Sequence, residues 1–346
     1  MQYIGIDLHK KFSQFTIMGE QGEIKDRRKI NNTPEEILSH LNNFDEPSQA
    51  VIEATFSWGW LADLLTASKI DVVLAHPQKV KAIAASKRKT DKIDADTLAH
   101  LLRADLIPEA YYCPKELRET KELLRARASM IGLRTQVKNK IHSLLHKANV
   151  RGDEKYTDLF GKQGRAFLES LDLGEKMNFV LKQYLSVLDH LSGTAEETSS
   201  EIKDFFENDK IAQFLSKLPG FGYYSSLILS SEIGDIKRFK TAKQLCAYAG
   251  LVPSTYQSGD KPARHGKIIQ GNKYIRWVLI EAVPKAIKKD KVLSTFHERI
   301  LAKKGHNKAK VATARKMLSQ IWYMLTYEKE LTDPETGSPV FFSGRK

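Results

Sequence analysis

The sequence predicts an α/β domain followed by two largely helical regions. Three features carry that expectation. Through the first hundred or so residues, short apolar runs alternate with turns and helix starts. From Lys115 to Asn149 the chain has no proline and a single glycine, Gly132. In the last third, apolar helical segments are interleaved with basic loops. The expected divisions are 1–113, 114–208 and 209–330, with a tail at 331–346. Hydrophobic content of 41% and charged content of 28% over 346 residues fit a globular, soluble chain.

Charge and cysteine usage narrow the function classes. A net charge of +13 points to a polyanionic partner, although many basic proteins are merely soluble. The two cysteines, Cys113 and Cys246, are far apart, which argues against a disulfide framework or a cysteine zinc site and suits a reducing cytoplasm. No apolar run approaches the roughly 18 residues of a membrane span. No secretory signal is expected ahead of the first strand.

The first strand is Tyr3-Ile4-Gly5-Ile6-Asp7-Leu8-His9-Lys10, whose apolar run is interrupted by a carboxylate. Strands follow at Ser13–Gly19 and Glu23–Ile30, joined by the turn Glu20-Gln21-Gly22. Thr33-Pro34-Glu35-Glu36 reads as a helix start, with Thr33 as N-cap, proline at the first position and Glu36 completing a capping box. Then come a strand ending at Glu53, a helix containing Trp58, Leu61 and Leu65, and the strand Asp71–Ala75. Three antiparallel strands, helix, strand, helix, strand is the order of an RNase H-like sheet.

Four carboxylates stand out in that order. Asp7 is costly to bury unless a cation compensates it, though a half-solvated strand end is the plainer alternative. Glu53 again ends an apolar strand. Asp91 and Asp94 are three apart at the start of a helix and share a face, where they either meet an ion or simply favour the positive helix end. Asp96 reads as solvated. One acid from each of two strands and two from a helix is what a two-metal phosphoryl-transfer site requires.

The segments GIDLHK, IEAT and KTDKIDADTLA resemble the DEDD-type insertion-sequence transposases related to the Piv and MooV DNA invertases. That resemblance implies a RuvC-like domain in which Asp7, Glu53, Asp91 and Asp94 hold two Mg2+ ions, with Mn2+ as a substitute. Phe56 departs from the glycine the family commonly carries after Glu-Ala-Thr, which bears on the local turn.

In the middle region, Leu123, Met130, Val137 and Leu144 repeat at seven with Ala126 and Leu133 between them, as in a coiled coil. Met177, Tyr184 and Leu191 repeat likewise, which predicts an antiparallel hairpin within the chain or a zipper between chains. Arg125, Arg127, Arg134 and Lys138 make the first helix basic, either as a solvated face or as a track for a phosphate backbone.

Leu218-Pro219-Gly220-Phe221-Gly222 resembles one hairpin of a helix-hairpin-helix element, in which Gly220 and Gly222 expose amides to a phosphate. The same residues also make a plain helix-helix turn. Downstream, Lys237 to Arg276 carries nine Lys/Arg against one acid, Asp260. Arg264, Lys267, Lys273 and Arg276 are candidate phosphate contacts. From the residues alone, Ser258-Gly259 reads first as a turn, with a sterically open serine in a polar loop as the alternative. The pattern AYAGLVP, QSG, GNKYIR is similar to the C-terminal domain of the same transposase family, which implies that Ser258 is the DNA nucleophile, with Ser254 a weaker competitor.

The resemblance covers nearly the whole chain. It implies a bacterial or archaeal, nucleoid-associated DNA transposase that recombines donor and target double-stranded DNA. It further implies a structured non-coding guide RNA, a dimer or tetramer, and an acidic site and serine loop that act together. Two alternatives stay open: a metal-dependent junction resolvase with water as nucleophile, and a non-catalytic DNA-binding protein.

Overall fold

The computed structural model describes residues 1–44, 46–84, 90–151, 156–253, 255–256, 264–265, 270–328 and 339–342. The chain forms two compact units, Met1–Glu116 and Leu117–Lys346. Among the described residues no helix is long and apolar enough to cross a membrane.

The first unit is mixed α/β. Strands β1 (Gln2–Leu8), β2 (Phe12–Met18) and β3 (Ile24–Asn31) are followed by α1 (Pro34–Leu41), β4 (Ser48–Glu53), α2 (Trp58–Ala67), β5 (Asp71–Ala75), α3 (Pro77–Ile83) and α4 (Asp91–Arg103). The sheet order is β3-β2-β1-β4-β5. β1 pairs antiparallel with β2 and parallel with β4, so the opening strand is central. Both faces are covered, which is why β1 and β4 are nearly continuous apolar runs. Ile4, Ile6, Phe15, Ile17 and Ile52 pack with Ile37 of α1 and with Leu61 and Leu65 of α2. On the opposite face Val51 and Ala75 pack with Leu98 and Leu102 of α4.

Local signals account for the helix starts. Thr33 Oγ1 accepts from Glu36 N–H at 3.3 Å and Pro34 opens α1. The expected box is only half made, because the Glu36 carboxylate turns instead to Asn31 Nδ2 at 3.1 Å. Thr90 Oγ1 caps α4 by accepting from Ile93 N–H.

The second unit is almost wholly helical. It comprises α5 (Lys115–Lys147), which starts just ahead of the unit boundary, then α6 (Lys162–Ser170), α7 (Glu175–Asn208), α8 (Lys210–Ser216), α9 (Tyr223–Ile233), α10 (Ala242–Tyr248), α11 (Lys273–Lys289), α12 (Lys291–Lys304) and α13 (His306–Tyr327). A short ladder of β6 (Thr255–Tyr256) and β7 (Arg264–His265) lies between α10 and α11 in sequence. α9 is the hub, buried at every position from Ser226 to Ile233.

α5 and α7 run antiparallel. Arg127 Nε donates to Ser199 Oγ, Met130 Sδ lies 3.7 Å from Thr198 Oγ1, and Ile141, Leu144 and Leu145 pack on Leu181, Leu185 and Leu188. The buried ridge therefore follows the expected seam only in part. Leu144 is buried with Val137 packed beside it, but Leu124, Ile141 and Leu145 are buried as well, whereas Ala126 and Leu133 are exposed. A 3.6-residue turn drifts off a strict seven-residue repeat, so one partner covers only part of the stripe.

Candidate metal centre

β1 places Asp7 at the end of the central strand. Ile6 pairs with Ile52, so Asp7 and Glu53 occupy the next step on adjoining parallel strands, which lie about 4.8 Å apart. Gly5 faces α4, and Asp7, two residues on, faces the same way. α4 crosses this face at backbone contact: a Cβ on Gly5 would stand 2.1 Å from the Ala95 carbonyl oxygen and 2.6 Å from Ala99 N. Asp91, one helical turn before Ala95, and Asp94, next to Ala95 in sequence, lie in the first turn of α4. The helix N-terminus favours both carboxylates by about 0.3–1 kcal/mol each.

Asp96 anchors α4 at that height. Its Oδ1 accepts from Thr16 Oγ1 at 2.8 Å and its carboxylate takes two hydrogen bonds from Arg27, at 2.9 Å and 2.8 Å. Asp96 is thus a tether between helix and sheet rather than a solvated end group.

Burial raises the Asp7 carboxyl above the ordinary aspartate range. His9 opposes the shift, while the Asp94 and Asp91 charges push it further up. A carboxylate held against like charges is a site that gains by taking up a cation. His9 Nε2 lies 3.1 Å from Asp7 Oδ2 and 3.3 Å from Asp91 Oδ2. Ligand atoms of Asp7, His9 and Asp91 all lie within 4.8 Å of one another, a fit for a divalent ion. His9 was not singled out in the sequence, yet it carried a signal: spaced two from Asp7 along an extended segment, it shares that face.

Phe56 follows Glu53 by three residues and is 96% exposed. The turn that carries it closes with Thr55 N–H donating to Glu53 O at 2.7 Å, so the departure from glycine is accommodated.

The candidate nucleic-acid residues of the second unit have varied settings. Arg125 donates to the buried Glu232 carboxylate at 2.8 Å and 3.1 Å and lies over the Tyr274 ring. Arg127 bonds Ser199 and stacks over Tyr224 at 4.1 Å. Lys138 Nζ lies 4.6 Å from the Phe160 ring centre, and Arg134 is half-buried. Lys273 opens α11, and Arg276 Nη1 donates to Gly250 O at 3.4 Å.

The two glycines of the hairpin motif have structural duties. Gly220 has φ +99°, and a Cβ there would stand 2.6 Å from Ala282 O, so α11 crosses at backbone contact. Gly222 N–H donates to Ser225 Oγ at 2.8 Å.

Ser258, Lys267 and the competitor Ser254 lie outside the described residues, as does the Arg264 side chain. The segments flanking Ser258 are joined. Asn272 N–H donates to Tyr248 O at 2.7 Å, and a Cβ on Gly271 would stand 2.3 Å from Gly250 Cα. Asn272 Oδ1 also caps α11, accepting from Tyr274 N–H and Ile275 N–H, while its Nδ2 donates to Glu232 at 2.8 Å.

Comparison with known proteins adds two family matches. A model of the IS110 DEDD type, described as "Transposase", matches residues 4–150, spanning all four carboxylates. A second, described as "Transposase IS116/IS110/IS902 family", matches residues 212–298, spanning Ser258. The chain is 24% identical over 336 residues to the transposase for insertion sequence element IS1111A of Coxiella burnetii, covering 95% of this chain and 91% of that one. It is 23% identical over 278 residues to the transposase for insertion sequence element IS1328 of Yersinia enterocolitica, covering 80% and 81%.

Proposed function

Because this chain belongs to the DEDD transposases of the IS110 type, we propose that it cuts and rejoins DNA with a carboxylate-held metal pair and a serine nucleophile. The observation that carries the metal half is the cluster of Asp7, His9 and Asp91 ligand atoms within 4.8 Å of one another; Asp94 is near enough for its charge to raise the Asp7 carboxyl, and Glu53 ends the strand beside Asp7. The sheet order, with an aspartate on its central strand, supports an RNase H-like reading of the first unit.

Asp7, Glu53, Asp91 and Asp94 would hold two Mg2+ ions, which supply charge neutralisation at the scissile phosphate. Ser258 is the nucleophile: its oxygen bonds to phosphorus as one deoxyribose oxygen leaves with a proton. The phosphoserine ester conserves the bond energy, and an incoming deoxyribose hydroxyl reverses the step. Basic residues around the two motif segments, Lys273 and Arg276 among them, hold the DNA backbone. A structured non-coding RNA selects donor and target, and the protein works as a dimer or tetramer. Both are what the family resemblance implies; the +13 charge suits a nucleic-acid partner, and Leu133, 46% exposed on α5, offers an apolar contact between copies.

The test is cleavage of DNA carrying the ends of the mobile element, with and without chelator. Asp7→Asn, Glu53→Gln, Asp91→Asn and Asp94→Asn are each expected to abolish cutting in a folded protein. Wild-type cleavage persisting in excess chelator would overturn the metal reading. RNA that co-purifies with the chain and is required for cutting would support the guide. Full, sequence-specific activity after ribonuclease treatment would remove it.

A further inference from the structure

Resting on that metal reading, we propose that His9 is itself a metal ligand. The centre then binds its ion through an imidazole nitrogen as well as carboxylate oxygens, and prefers Mn2+ to Mg2+.

His9 Nε2 is buried although the side chain is 39% exposed, and it stands 3.1 Å and 3.3 Å from two carboxylate oxygens, shared between them and directed squarely at neither. A plain histidine–aspartate pair directs its N–H at one oxygen, because the attraction weakens steeply off axis. Separations of this size without that direction are those of neighbouring ligands around one cation. Two donors at right angles, each about 2.2 Å from an ion, stand about 3.1 Å apart.

The backbone that carries the ring is tied independently of any ion. His9 N–H donates to Phe12 O at 3.1 Å, and Asn32 Nδ2 donates to His9 O at 2.7 Å. The imidazole lies against the Phe12 ring, 4.9 Å between centroids and tilted by 44°. Its backbone is therefore tied on both sides and its side chain is braced by an aromatic neighbour.

Ligand chemistry supplies the preference. A hard, all-oxygen site suits Mg2+, which demands near-ideal octahedral geometry and keeps several waters. An imidazole donor shifts affinity toward Mn2+ and later transition ions.

The experiment uses the full chain, stripped with chelator and loaded with Mn2+, and reads pulsed electron paramagnetic resonance. Wild type is expected to show nitrogen-14 modulation from a directly bound ring. His9→Ala should lose that modulation, bind Mn2+ at least about tenfold more weakly, and lose its Mn2+-over-Mg2+ preference in competition. Asp7→Asn should lose tight Mn2+ binding, which assigns the signal to this centre, and melting curves check that both variants fold. Bound Mn2+ without nitrogen modulation, or modulation undiminished in His9→Ala, overturns the ligand role while leaving the metal reading intact. Failure of wild type to bind Mn2+ at all overturns both.

Discussion

Gly5 on the central strand and Ala95 on α4 are in backbone contact, with room for no Cβ between them: one on Gly5 would stand 2.1 Å from the Ala95 oxygen. That contact fixes how closely the first turn of α4, bearing Asp91 and Asp94, approaches Asp7. Gly5→Ala should therefore cost about 1–3 kcal/mol through overpacking and lower cleavage by lifting the helix. Denaturant unfolding and metal titration check the two effects separately. An unchanged midpoint would mean that α4 is free to move.

Asp7 gives the metal-free protein a pH dependence of known sign. Its carboxyl is raised in the folded state by burial, and by Asp94 and Asp91 against the opposing His9. The native state therefore binds more protons than the unfolded state between the ordinary aspartate value and the raised one. Through that window, stability falls as pH rises. In chelator, Asp7→Asn should melt higher than wild type at neutral pH, and the advantage should vanish as pH drops below the usual aspartate range. Melting scans across pH measure this.

Arg125 tests whether a basic residue serves nucleic acid or the fold. Its partner Glu232 is 1% exposed and also holds Asn272, the cap of α11. Arg125→Ala should destabilise the chain by about 3–5 kcal/mol, because a buried charge loses its counterion. Arg125→Met with Glu232→Leu should recover part of the loss. A stable Arg125→Ala protein with weakened DNA binding would return the residue to the interface.

Leu133 is 46% exposed on α5, whereas Leu144 lies in the core shared with α7. Leu133→Asp is expected to leave the unfolding free energy within about 0.5 kcal/mol of wild type while dissociating the oligomer. Light scattering in the presence of nucleic acid reads the outcome. An unaltered assembly would place the contact between copies elsewhere.

Much of the first unit was legible because its signals are local. Short, nearly continuous apolar runs marked β1 and β4, Thr33 announced α1, the acidic pair Asp91 and Asp94 marked the start of α4, and carboxylates stood out where an apolar strand ended. What stayed hidden depends on partners distant in sequence. Nothing near Arg125 points to Glu232, and nothing near Gly220 shows that Ala282 will lie against it. Asp96 looked solvated because Thr16 and Arg27 reach it from strands far upstream. The heptad on α5 was read correctly as apolar, but which stripe a partner covers depends on α7. His9 sits in the GIDLHK segment, but only the fold shows that its ring meets Asp91 as well as Asp7.

The central claim, a serine nucleophile served by a metal centre, is tested most directly by end-labelled DNA on a denaturing gel. Wild type in Mg2+ should yield a protein–DNA adduct that survives denaturation and maps to Ser258. Ser258→Ala should bind DNA as wild type does and give neither cleavage nor adduct, while Ser254→Ala retains both. Cutting by Ser258→Ala at the wild-type rate, with free DNA ends and no adduct, would contradict the account and leave water as the nucleophile.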